Sequence, residues 1–140
     1  MAQLDDDLER AKPKYPQQEL AFTIDIPPSI NHMYMVSGHR KILTKVAKEY
    51  VKTTQQTILD AIKKSKWKAE EPSVWMYVDL YFYFPDKRIR DSHNCIKILL
   101  DIMQGIVFEN DYFIMPRVQS VTLDRDKPCL DVIVSNHIGD

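Results

Sequence analysis

The sequence predicts an α+β protein in which a mixed β-sheet is covered by two main helices. Three stretches carry that prediction. From Ser73 to Phe84, the apolar residues Val74, Met76, Val78, Leu80, Phe82 and Phe84 recur at every second position, the period of a strand. Between Thr44 and Lys66, Ala47, Tyr50, Val51, Ile58, Ala61 and Ile62 fall on one stripe of a long helix. In the stretch Arg88–Asp111, Cys95, Leu99, Ile102 and Met103 share a second helical face, while His93, Lys97 and Asp101 follow one another at intervals of four on another.

In chain order, residues 1–17 are polar and acidic, with Pro13 and Pro16, and read as a flexible N-terminal arm; residues 18–140 read as one domain. Glu19 to Ile26 alternates as a short strand and stops at Pro27-Pro28. The run P-P-S-I-N-H-M-Y is a loop, followed by a hairpin across Ser37-Gly38 into Lys41–Leu43. Thr44 is a suitable N-cap for the long helix. The second face of the Ser73–Phe84 strand carries Trp75, Tyr77, Asp79, Tyr81 and Tyr83. Core packing is the simpler expectation for it, with a subunit interface as the alternative. Pro85-Asp86 closes the strand, the next helix begins near Asp91–His93, and Gly105 ends it. Ile106–Phe108 is expected to be extended and Glu109-Asn110-Asp111 a turn, before strands over Phe113–Leu123 and around Leu130, Val132 and Val134, with Asn136–Asp140 as a tail.

The chain of 140 residues is long enough to bury a core of its own, and its apolar and charged fractions are those of a globular domain. No apolar run reaches the roughly 18 residues of a membrane span. Asp5, Asp6, Asp7 and Glu9 are the opposite of a secretory leader. Cys95 and Cys129 form neither a CxxC site nor a disulfide framework, so reduced cysteines in a cytoplasmic protein are expected. The net charge of −1 gives little sign of a nucleic-acid partner, but the distribution does. Arg40, Lys41, Lys45, Lys48, Lys52, Lys63, Lys64, Lys66 and Lys68 face only Glu49 and Asp60 in the same stretch, and Lys87, Arg88 and Arg90 immediately precede Asp91. Two basic groups flanking an acid cluster suit a polyanion.

Asp91 and Asp111 are the acidic pair that a hard divalent cation would use together with substrate phosphate oxygens. His93 stands two residues from Asp91, and imidazole suits Mn²⁺ better than Mg²⁺. Lys97 is one turn further on, where an ammonium can neutralise charge developing on a phosphoryl group. Taken singly, Asp91 is also a helix cap, Lys97 and Asp101 a surface pair, and Glu109-Asn110-Asp111 turn chemistry.

The run R-D-S-H-N-C-I-K-I-L-L-D-I-M-Q-G-I-V-F-E-N-D resembles the signature of the RusA family of Holliday junction resolvases. That signature is aspartate, any residue, aspartate, asparagine, two residues, lysine, three residues, aspartate, then a glycine turn and an acidic pair. The upstream P-P-S-I-N-H-M-Y and the lysine-bearing helix resemble the family too, and the likeness runs from about Phe22 to Leu123. The resemblance implies a homodimer that binds branched DNA and nicks two opposing strands of a four-way junction with Mg²⁺, Mn²⁺ being the alternative, in DNA recombination and repair in a bacterial or phage-infected cell. It matches Asp91 to the first catalytic aspartate, Lys97 to the catalytic lysine and Asp111 to the late aspartate. Asn94 and Asp101 match its asparagine and helix aspartate in supporting roles. His93 departs from it, standing where the family has a second aspartate, and Asn110 takes the first place of the acidic pair. The implied catalytic and metal set is therefore Asp91, His93 and Asp111 with Lys97, and the implied DNA-binding set Arg40, Lys41, Lys45, Lys87, Arg88, Arg90 and Asn94. A junction-binding protein whose metal site His93 has weakened is the alternative.

Overall fold

The computed structural model describes residues 17–69, 74–88, 90 and 92–136. The acidic arm expected over residues 1–17 lies, but for Gln17, outside them, as does Asp91. The elements are β1 (Glu19–Ile24), α1 (Ile30–Met33), β2 (Tyr34–Ser37), β3 (Arg40–Leu43), α2 (Lys45–Ser65), β4 (Met76–Phe84), α3 (Ser92–Met103), β5 (Ile114–Leu123) and β6 (Cys129–Ser135). Four strands form a mixed sheet in the order β1-β6-β4-β5, and β2 and β3 pair as a separate hairpin. β6 runs antiparallel to both β1 and β4, whereas β5 is parallel to β4. Such a parallel pair needs a crossover, and α3 supplies it.

Every second residue of β1, β4 and β6 points to one side of the sheet, and on that side Leu20, Val78, Leu80, Phe82, Leu130, Val132 and Val134 are fully buried. The buried faces of α2 (Ala47, Thr54 and Ile58) and α3 (Cys95, Ile98, Leu99, Ile102 and Met103) complete this core. Both stripes read from periodicity are thus the packed ones. Thr44 caps α2 as expected, its hydroxyl accepting from Ala47 N at 3.1 Å, and Lys66 closes the helix in the left-handed conformation. Tyr50 ties the start of α2 to the end of β1 by donating to Asp25 O at 2.7 Å. Burial pushes this phenol far above its ordinary range, so it remains a donor across neutral pH.

Several local expectations change. The loop after Pro28 contains the single turn α1, closed by His32 N and Met33 N donating to Ser29 O. Ile106–Phe108 is a tight turn rather than an extended piece: Ile106 N and Val107 N donate to Met103 O, and Gly105, at φ +85°, donates to Phe108 O at 2.7 Å. Asn136 is buried rather than part of a tail, its Oδ1 accepting from Gln18 N.

Among the described residues, the aromatic face of β4 is also not packed beneath a helix, because α2 and α3 lie on the other side of the sheet. Trp75 is exposed and makes an edge contact with Phe113, and Tyr77, Tyr81 and Tyr83 are half-buried. Asp79 anchors this outer face. It accepts two bonds from Arg117 (2.6 and 2.9 Å) and one from Gln119 (2.8 Å), while Arg117 lies 3.6 Å above the Tyr77 ring. Burial works against ionised Asp79, but these donors outweigh it and hold the carboxyl below the usual carboxylate range.

Candidate functional site

Paired residues along the sheet define two ends. At the upper end, β1 and β4 finish and β6 begins; at the lower end, β4 and β5 begin and β6 finishes. The chain leaves β4 at Phe84 and enters α3 at Ser92, so the first turn of α3 belongs to the upper end. His93 and Lys97 sit there one helical turn apart. Both side chains are exposed, and neither has a hydrogen-bond or ion-pair partner among the described residues. Asp101 continues the exposed stripe, opposite the buried Cys95, Leu99 and Ile102. Asn94, on the flank of that stripe, is half-buried and partnered.

The approach to α3 is organised by Asp86, which sequence reading treated only as a strand terminator. Its carboxylate accepts from Arg88 N at 2.8 Å and from the Arg90 guanidinium at 2.9 Å, and Arg90 also donates to the carbonyls of Asp86 and Arg88. The Arg88 amide bond and then the Arg90 bond hold the Asp86 carboxyl below its ordinary range. Arg90 also lies 4.7 Å from the Phe84 ring centroid, so this member of the expected DNA-binding set is turned inward to brace the loop. Lys87 and Arg88 are exposed. The sequence signal was Pro85-Asp86 itself, since an aspartate at a strand end bonds the backbone two residues on.

Arg40, Lys41 and Lys45 are exposed on the hairpin and the start of α2, and Lys41 reaches over the Tyr34 ring. The hairpin follows the upper end of β1 and leads into α2, so these residues join Lys87, Arg88, His93 and Lys97 at one end. Asp25, Ile26, Pro85, Arg90 and Pro128, from three separate segments, line one hollow there. The basic stretch Arg40–Lys68 is thereby divided: Lys63, Lys64, Lys66 and Lys68 lie at the far end of α2, the lower end. A larger cleft of about 670 Å³ between the end of β1 and α2 includes Lys45 but no residue of the acid–imidazole cluster.

Asp111 lies at the lower end. Its carbonyl accepts from Ile114 N, the first residue of β5, and Phe113 O accepts from Met76 N, the first residue of β4. The turn before it is fixed by Trp67, whose buried indole donates to Val107 O at 3.1 Å. Asn110 performs turn chemistry, accepting from Tyr112 N. The Asp111 carboxylate is half-exposed and has no partner among the described residues. Ten residues of α3 separate His93 from Met103, about 15 Å at the helical rise, and Asp111 lies beyond Met103. One chain therefore does not bring His93 and Asp111 together. Among the described residues, no three His, Cys, Asp or Glu side chains gather as a metal-sized group, and Asp91 lies outside that set.

Comparison with protein families decides what this arrangement belongs to: the family described as Endodeoxyribonuclease RusA matches residues 25–135. The chain belongs to the RusA family. The match runs from the residue after β1 to the last residue of β6, and so includes α3 with its basic approach and the whole crossover. The α+β architecture, a mixed sheet with two helices, is consistent with the RusA fold. RusA membership supports a nuclease function in recombination and repair. A search of curated proteins gives no match.

Proposed function

We propose that this protein is a metal-dependent, structure-selective endodeoxyribonuclease that acts as a homodimer and resolves four-way DNA junctions by paired nicks. The observation that carries the reading is the His93–Lys97 pair on α3, unpartnered among the described residues and at the same end of the fold as Lys87, Arg88, Arg40, Lys41 and Lys45, within a chain of the RusA family. These basic side chains would contact phosphates, which position a substrate without reading its bases and so suit recognition by shape.

The donor set fits a hard divalent ion if two copies share it. Asp91 and His93 would come from one copy and Asp111 from the other, because a single α3 holds its own His93 and Asp111 at opposite ends. Such an ion, Mg²⁺ or, with an imidazole donor, Mn²⁺, would supply water activation and charge neutralisation at the phosphodiester. Lys97 would place its ammonium beside the charge that develops on the phosphoryl oxygens. Two-fold symmetry would give two such sites per dimer, matching two opposed nicks.

The test is cleavage of a synthetic four-way junction in Mg²⁺ and in Mn²⁺, with Asp91→Asn as control. Metal-dependent nicking that this control lacks is expected; binding without nicking in either ion would overturn the enzyme reading. A second reading, a junction binder without catalysis, is favoured by His93 at the position of the family's second aspartate. In that case His93→Asp should create nicking where the natural chain shows none. On either reading, junction affinity is expected to fall by about 10³-fold or more between roughly 50 and 200 mM salt, given six phosphate contacts per chain. A binding titration over that range showing a flat response would remove the basic end as the DNA surface.

A further inference from the structure

α2 carries its charge in a pattern that packing does not require. At the helical repeat, Lys45, Lys48, Lys52 and Lys63 fall within about 60° of one another, on the side opposite the buried Ala47, Thr54 and Ile58. Lys45 and Lys63 lie about five whole turns apart, so the stripe keeps its phase over roughly 27 Å of helix. All four lysines are exposed, and none has a hydrogen-bond or ion-pair partner among the described residues. The acids of the helix do not neutralise them. Asp60 accepts from Gln56 Nε2 at 2.9 Å, and neither Glu49 nor Asp60 is ion-paired among the described residues. Gln55, Gln56 and Leu59 interrupt the stripe, leaving Lys45, Lys48 and Lys52 as one group and Lys63, with Lys66 just past the helix end, as another. Aligned and unpaired lysines concentrate positive potential along one line of the surface.

We infer that this outer face of α2 is a second nucleic-acid surface, which holds the two phosphate backbones of a duplex DNA arm away from the branch point. Charge and spacing select this occupant. The rise from Lys52 to Lys63 is about 16 Å. The major groove of B-form DNA opens about 12 Å between its walls, with the phosphates outside that opening. A helix lying over the groove therefore sets one lysine group on each backbone. Such contacts position a duplex and read none of its bases. Lys45 belongs both to the stripe and to the basic end near His93 and Lys97, so the two surfaces are continuous. A lipid surface is a poorer occupant, because α2 spends its apolar face on the core and offers only Leu59 among the lysines. The choice of a duplex arm rests on the nuclease reading above; that the stripe binds a polyanion does not.

Fluorescence anisotropy with the full chain tests the stripe without reference to cleavage, using four-way junctions with arms of about 25 and about 8 base pairs. K52Q/K63Q is expected to bind the long-armed junction about 50-fold more weakly at roughly 100 mM salt, with the log–log salt slope reduced by about 2. Its affinity for the short-armed junction should stay within about 3-fold of the natural chain, since little duplex then reaches the stripe. K64Q/K68Q removes the same charge off the stripe and should change neither affinity by more than about 3-fold. Both stripe side chains are exposed and glutamine is a good helix former, so native far-ultraviolet circular dichroism is expected to be retained. Equal losses in the two variants would reduce the effect to net charge and overturn the inference. So would an unchanged K52Q/K63Q, or a loss as large on short arms as on long ones. Binding to phosphatidylserine vesicles or to polyglutamate that K52Q/K63Q loses while keeping its grip on DNA would also overturn it. A stripe that behaves as expected in a protein that never nicks a junction stands, and counts against the nuclease reading alone.

Discussion

Lys97→Ala and Asp111→Asn should each lower junction nicking by about 10²–10³-fold while leaving junction binding within a few-fold. Mixed in equal amounts and allowed to exchange subunits, the two inactive proteins should recover about a quarter of the natural activity, since half the dimers would be mixed and each would hold one intact site. The product is diagnostic. A cruciform plasmid should accumulate as nicked circles rather than linear DNA, because a single intact site cuts one strand. The physical basis is the α3 helix, which holds Lys97 at the upper end of the sheet and leads to Asp111 at the lower. A mixture as inactive as its components would place both groups in one chain's site. A gel-based plasmid assay with the two single variants as controls distinguishes these outcomes.

The second large effect concerns stability. Phe82 is completely buried in the second half of β4 and stacks on Phe84 with ring centroids 5.2 Å apart. Phe82→Ala removes that ring from a packed core and leaves a cavity, so a loss of about 3–5 kcal/mol is expected. That is a large share of the roughly 5–15 kcal/mol by which a domain is stable. Urea unfolding should show the midpoint falling with little change in slope. Tyr81→Ala, one position away on the outer face, should cost much less. Equal losses would mean that the outer face is as tightly packed as the inner one.

The two faces of β4 show what the sequence could and could not tell. The apolar face was legible because alternation reports a buried side directly, and the same logic found both helical stripes, the Thr44 cap and the turn at Gly105. The aromatic face was ambiguous because tyrosines tolerate both dry and half-wet surroundings; only the sheet's context shows that neither α2 nor α3 lies over it. The short turn α1 was invisible to periodicity, being about one helical turn long. For the candidate site, the spacing placed His93 and Lys97 on one exposed helical stripe, where the structure has them. Linear proximity suggested that Asp111 completes their site, but a β–α–β crossover turns nearness in sequence into opposite ends of a sheet. The bracing of Arg90 was not legible either, since it depends on Asp86 and Phe84, which hold its guanidinium.

The bond from Trp67 to Val107 joins the end of α2 to the turn that precedes Asp111, while the start of α2 carries Lys45 beside the hairpin. The 21 residues between are a strut of about 32 Å. The spacing between the hairpin end and the turn that leads to Asp111 is thus written as a residue count.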